Sequence, residues 1–171
     1  MKRIGVISDT HVPSRANSVP GKVFEAFKGV DMIFHAGDIV SFDVLHELEL
    51  LAPVYAVAGN MDNWEVRLEL PPKRTIIVED VTFGLTHGHM FNVRSERAVR
   101  EAMGDIDCLI YGHTHKADFE RIDGIRIFNP GTTVGGVNSS VGLITVNGAD
   151  FETEIVGAVR KPPPTKERLR F

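Results

Sequence analysis

Five apolar runs rich in β-branched and aromatic residues recur along the chain, and each closes on Asp, Asn or His beside a small residue. They run from Ile4 to His11, Met32 to Asp38, Val54 to Asn60, Val81 to His89 and Cys108 to His115. Short apolar runs bounded by turn residues read as buried strands. Between the first three, the apolar spacing changes to that of helices. Val23, Phe24 and Phe27 share one face of a short helix that ends near Gly29. Val44, Leu45, Leu48 and Leu51 share the face of another, capped by Ser41 or Asp43 and stopped by Pro53. Strand, helix, strand, helix, strand predicts a parallel sheet with right-handed crossovers.

Further along, residues 61 to 73 read as a loop containing Trp64 and Pro71-Pro72. Arg74 to Glu79 and Val81 to Thr86 form a hairpin through Asp80. A helix from about Ser95 to Met103 turns Ala98, Val99, Ala102 and Met103 inward before Gly104 ends it. After the strand at Cys108 the pattern is mostly β: Asp118 to Ile122, Ile125 to Phe128, Val141 to Val146 and Phe151 to Val159. Asp123-Gly124 and Asn147-Gly148 are the turns.

Composition adds bounds. At 171 residues, 43% hydrophobic and 25% charged, the chain has the size and balance of one globular domain. The division expected is a domain over residues 1–159 and a basic, Pro-rich tail over 160–171. The single cysteine, Cys108, excludes an intramolecular disulfide and sits in an apolar run as a core thiol. No segment approaches the ~20 apolar residues of a membrane span, and the run after Met1-Lys2-Arg3 is too short for a signal peptide, so a cytoplasmic location is expected. The net charge of −4 is uneven: the tail carries +4, which leaves the body at −8. An acidic body argues against broad nucleic-acid binding, though not against a small anionic substrate held by divalent ions.

The strand ends carry the candidate chemistry. At the carboxyl edge of an α/β sheet, loop residues are rigidly supported yet open to solvent. Collected in order, the donors there are Asp9, His11, Asp38, Asn60, His87, His113 and His115. Seven are too many for one ion, whereas two divalent ions sharing one carboxylate would use them as four and four. Mixed imidazole and carboxylate donors suit manganese, iron, zinc or cobalt better than calcium or magnesium.

Asp9-Thr10-His11, Gly37-Asp38, Gly59-Asn60, His87-Gly88-His89 and Gly112-His113-Thr114-His115 resemble, in content and order, the motifs of the calcineurin-like metallophosphoesterases. The resemblance covers roughly residues 4 to 131. The short chain and Gly59-Asn60-Met61-Asp62 look like the small phosphodiesterase branch, which also resembles the retromer vacuolar-sorting scaffold. The resemblance implies an α/β/β/α sandwich of two stacked mixed sheets flanked by helices. It implies a first ion held by Asp9, His11, Asp38 and His115, and a second by Asp38, Asn60, His87 and His113, with Asp38 bridging. Manganese is the metal expected first, with Ni2+, Zn2+, Fe2+ and Co2+ as alternatives. The implied reaction is hydrolysis of a small phosphodiester by in-line attack of a metal-bridging hydroxide. Phosphomonoester hydrolysis and a catalytically weak, metal-binding scaffold for protein partners are the alternatives, and a homo-oligomer stays open.

Met61 departs from the pattern, because many larger relatives carry a histidine directly after Gly-Asn and a thioether cannot protonate a leaving group. A metal-bound water or His89 would have to serve. Asp38, Asn60, Asp62 and His89 are therefore the catalytic candidates, and Asn60, His89, Arg94 and Asn129 the substrate contacts. Asp62 either orients the Asn60 loop or sits in solvent. His35 is either a satisfied core histidine or a partner orienting Asp38 or a neighbour of it, and His46 is solvated on a helix surface. Asn129-Pro130-Gly131 is either a plain turn or a loop beside the ligand histidines. Trp64 and Phe91 either pack their loops or line the site's mouth. Arg94, Arg97 and Arg100 recur at helical spacing as a solvated face, with Arg94 near enough to His89 to contact phosphate.

Overall fold

Alternation along the strands builds the layers. In the first strand, β1 (Lys2–Ile7), Ile4 and Val6 point one way, while Gly5 and Ile7 point the other. β1 pairs in parallel with β2 (Met32–His35), which pairs in parallel with β3 (Val54–Ala56). The helices α1 (Gly21–Ala26) and α2 (Asp43–Glu49) are the crossovers. The computed structural model describes residues 1–134 and 136–157. The expected tail over 160–171, and the last two residues of the strand expected to reach Val159, lie outside them.

Two five-stranded mixed sheets result. The first has the order β10-β9-β1-β2-β3, in which the hairpin of β9 (Ser140–Asn147) and β10 (Asp150–Gly157) adds antiparallel to β1. The second sheet contains β4 (Lys73–Val78), β5 (Val81–Thr86), β6 (Cys108–Ile110), β7 (Asp118–Ile122) and β8 (Ile125–Asn129), in the order β4-β5-β6-β8-β7. β5, β6 and β8 run parallel, and β4 and β7 close the edges antiparallel.

Residues of alternate parity fill separate layers. Ile4, Val6, Phe34, Phe83, Cys108, Ile110, Phe128 and Ile144 meet between the sheets. On the outer face of the first sheet, Ile7, Ile33 and Leu143 meet Val23 and Phe27 of the α1 region and Val44 and Leu48 of α2. On the outer face of the second, Leu109, Tyr111 and Ile127 meet Val99 of α4 (Glu96–Met103). The expected α/β/β/α sandwich is thus observed. Each fully buried aliphatic or aromatic side chain contributes about 1.5–3 kcal/mol by leaving water. Cys108 is one of these, and burial pushes its thiol well above the ordinary range.

Two local expectations are corrected. Residues 61 to 73 are not all loop, because α3 (Trp64–Glu69) forms there. Asn63 caps it by accepting a hydrogen bond from the Val66 N–H at 2.9 Å, and Val66 is its buried residue. Its apolar residues do not share one buried face, since Val66 is buried while Trp64 and Leu68 are exposed, so no helical spacing marks it along the chain. Neither Ser41 nor Asp43 is the N-cap of α2. That residue is Phe42, without a side-chain bond, and Asp43 occupies the first turn, where a carboxylate favours the helix dipole.

Candidate metal centre

The carboxyl ends of β1, β2, β3, β5 and β6 meet at the seam between the sheets, and all seven donors anticipated from the sequence follow them. Asp9 and His11 follow β1, Asp38 follows β2, Asn60 follows β3, His87 follows β5, and His113 and His115 follow β6. Asp9, His11, Asp38 and His115 each offer an atom within 4.8 Å of the others. His115 Nε2 stands 3.2 Å from Asp9 Oδ1 and 3.3 Å from His11 Nε2. Asp38 Oδ2 lies 3.6 Å from His11 Nε2 and 3.2 Å from His87 Nε2. Asn60 Oδ1 is 3.0 Å from both His87 Nε2 and His113 Nδ1.

The polarity of these atoms fits a cation. His87 Nδ1 is 2.8 Å from the Ala36 carbonyl, which can only accept, so that nitrogen carries the proton. When the ring is neutral, as cation binding requires, Nε2 presents its lone pair between Asp38 Oδ2 and Asn60 Oδ1; in the metal-free protein a second proton on Nε2 lets it donate to Asp38 instead. Asp9 Oδ1 is buried with no hydrogen-bond partner, although His115 Nε2 is close. A buried carboxylate oxygen without a donor is costly, and a divalent ion removes that cost. This set of carboxylate, amide and imidazole donors fits divalent cations.

Burial raises the Asp9 pKa, against the lowering influence of His87, and pushes His11 down to about 4. For Asp38 burial acts upward too, but the hydrogen bond and charge of His87 outweigh it and hold the carboxyl below its ordinary value. His87 is correspondingly raised by Asp38 in spite of its burial.

The backbone is bent to present these groups. Among the described residues, eight that are not glycine have positive φ, and five of them are Asp9, His11, Asp38, His113 and His115. Left-handed backbone costs an L-residue about 1–2 kcal/mol, so the surrounding bonds must hold it. Asp9 N–H donates to Gly37 O and His11 N–H to Asp38 O, each at 3.0 Å. His113 N–H donates to Asp9 Oδ2 at 3.1 Å, and Met61 N–H to Asp38 Oδ1 at 2.8 Å. The motif glycines serve the same packing. A methyl at Gly59 would overlap the Asp38 carboxylate, and one at Gly112 would come within 2.8 Å of Asp9 Oδ2.

Other anticipated residues support the cage without joining it. Asp62 is buried and accepts from Val40 N–H at 2.6 Å and Gly59 N–H at 2.7 Å, which ties the Asp38 turn to the Asn60 turn. His35 is fully buried. Its Nδ1 accepts from Gly37 N–H at 3.2 Å, so Nε2 donates to Thr10 Oγ1, also at 3.2 Å, and both sequence readings of His35 hold at once. Asn129 donates to Gly112 O at 2.8 Å and to Thr114 Oγ1 at 3.1 Å, bracing the loop of His113 and His115. His89 lies exposed at the rim, its ring centre 5.4 Å from that of His87 and 6.1 Å from that of His113. Arg94 is held away by ion pairs to Asp118 and Glu120. Trp64 is 70% exposed and therefore does not pack its segment, whereas Phe91 packs against the α4 layer. Sequence reasoning missed Arg67, whose guanidinium donates to the Asn60 carbonyl, because α3 was not foreseen.

Stacked mixed sheets with a carboxylate and imidazole cage along their common edge define an α/β/β/α scaffold with a candidate metal centre. Residues 1–149 match the calcineurin-like phosphoesterase superfamily domain, and the chain belongs to that family. It is 40% identical over 172 residues, 98% of each chain, to a probable metallophosphoesterase of Methanothermobacter thermautotrophicus. It is 32% identical to a phosphodiesterase of Methanocaldococcus jannaschii, over 88% of this chain and 93% of that one. A crystal structure of Vps29 from Entamoeba histolytica superposes with a TM-score of 0.76 at 25% identity, covering 90% of this chain and 91% of the other.

Proposed function

We propose that the chain is a phosphodiesterase that works with two divalent ions, manganese foremost, on a small phosphodiester. Asp9, His11, Asp38 and His115 would hold one ion, and Asp38, Asn60, His87 and His113 the other. The observation that carries this reading is the position of Asp38. Its Oδ2 stands between His11 and His87, one from each donor group, while Oδ1 is fixed by the Met61 N–H. When bound, such ions activate water and neutralise charge on the phosphoryl oxygens.

The chain's own residues do the rest. Asp38 and Asp9 supply the negative charge that retains cations in an otherwise imidazole-rich cage. Asp62 and Asn129 are positioning residues, because their polar atoms are used on the loops that carry Asn60 and His113. A metal-bound water, or His89, whose exposed ring lies at the rim beside His87 and His113, would meet the departing oxygen. Met61 offers no proton there, so diesters with good leaving groups are the better substrates. The diesterase relative from Methanocaldococcus jannaschii supports the diester over the monoester. We assign residues 1–159 to the catalytic domain and take its setting as cytoplasmic; no described helix is long and apolar enough to cross a membrane.

Likeness to Vps29 favours one second reading, a metal-binding scaffold for protein partners. Turnover of bis(4-nitrophenyl) phosphate and of 4-nitrophenyl phosphate, with manganese and again after chelation, separates the readings. Faster diester hydrolysis that chelation abolishes is expected. Faster monoester hydrolysis would reverse the substrate assignment, and a metal-loaded protein inert toward both would leave the scaffold.

A further inference from the structure

Of the seven large apolar side chains exposed among the described residues, four belong to the two segments that carry Asn60 and His87: Met61, Trp64, Leu68 and Met90. Apolar exposure concentrated at a polar site, rather than scattered, marks a surface that something covers. Helical spacing sets Trp64, Arg67 and Leu68 on one face of α3, away from the buried Val66. That face is tied to the cage, because Arg67 donates to the carbonyl of Asn60, the residue whose side chain bridges His87 and His113. No ion pair among the described residues uses Arg67. An indole and a guanidinium free of carboxylate partners on one face, with the exposed thioether of Met61 three residues before Trp64, are the groups that hold a flat ring by stacking and soft contact.

We propose that Trp64, Arg67 and Met61 form a subsite for an aromatic substituent of the substrate, an aryl group or a nucleobase carried by the phosphodiester. This inference rests on the phosphodiesterase reading and names the substrate class within it. Continuity with the donor cage argues for a ring on the substrate itself, since Asn60 belongs to both.

Trp64 is the only tryptophan of the chain, so its emission reports this place alone. The probes are adenosine 5′-monophosphate and ribose 5-phosphate, which share a phosphate and differ in the ring, titrated into the zinc-loaded full chain. A saturable change in emission with the first, at least fivefold weaker in affinity with the second, is expected. The nucleotide should also inhibit turnover of bis(4-nitrophenyl) phosphate, and Trp64→Ala should weaken that inhibition roughly tenfold, the scale of one base stacked on an aromatic. Trp64→Phe should keep most of it, and so should Leu50→Ala, an exposed apolar residue on the connection leading into the opposite end of β3.

Equal affinity for the two probes, or inhibition unchanged in Trp64→Ala, would overturn the subsite while leaving the hydrolase intact. Nucleotide binding seen by Trp64 in a protein that turns over no diester would keep the ring site and remove the hydrolase reading. An emission shift that depends on protein concentration and ignores both probes would mean that a second copy covers this face, and would also overturn the subsite.

Discussion

The two sheets contribute unlike halves of the centre. The first supplies both carboxylates and the amide, in Asp9, Asp38 and Asn60, with one imidazole, His11. The second supplies imidazoles alone, in His87, His113 and His115. Asp9, His11 and Asp38 are almost fully buried, whereas His113 is exposed and His115 partly so. Neither half is a cage by itself: the four clustered donors take three residues from the first sheet and His115 from the second. Both carboxylates sit in the buried, braced part of the centre together with His87, while His113 and His115 face the opening. A cation at the seam binds both sheets, so its binding energy adds to the stability of their packing.

Removing the shared carboxylate breaks the comparison most severely. On the proposed two-ion reading, Asp38→Ala removes the donor common to both ion sites and should lower diester turnover by about a thousandfold or more. Metal content of the purified variant should fall with it, and an active, metal-replete Asp38→Ala protein would sink the mechanism. Asp62→Ala should come next. It frees the N–H groups of Val40 and Gly59, costing about 2–4 kcal/mol in denaturant unfolding and 10–100-fold in metal affinity through the loosened turns.

Acid sharpens the contrast in the first half. Burial pushes His35 down to about 3, well below its ordinary 6.5. As pH falls from 6.5 toward 3 the unfolded chain takes up this proton while the folded one does not, so the stability due to neutral His35 is lost over that window. In the metal-free protein, His35→Asn should reduce the slope of unfolding free energy against pH by up to about 1.4 kcal/mol per unit between pH 6 and 4. Parallel curves for the two proteins would refute it. The smallest effect is expected at the rim, where Met61→His introduces a proton donor. Turnover of diesters with poor leaving groups should rise a few-fold, within the 10²–10⁴-fold ceiling of general acid catalysis, with little change for 4-nitrophenyl esters.

Much of the site was legible before any fold was known, because donor chemistry is local. An apolar run that ends on Asp-x-His or His-x-His declares both a strand and its cargo, and all seven donors named that way meet at one edge. The alternation of Ile4, Val6 and Ile7, or of Cys108, Leu109 and Ile110, likewise forecasts two-sided burial. Arg94 and Arg67 show where such reading stops. Both are arginines near ligand motifs in sequence, yet Arg94 is drawn off by Asp118 and Glu120 of β7, and Arg67 is turned toward Asn60 by a helix whose apolar residues share no buried face.

The amino-acid order alone determined which atoms can bind a cation and that they would stand at strand ends, since periodicity and side-chain type are properties of neighbouring residues. Only the tertiary structure decided that the C-terminal hairpin pairs with β1, that Arg67 reaches the Asn60 turn, and that Arg94 is drawn to β7 rather than to the donors. Strand order and sheet packing depend on contacts between residues more than a hundred positions apart, such as Gly5 with Leu143 and His11 with His115. Their free energies exist only once the chain has closed on itself.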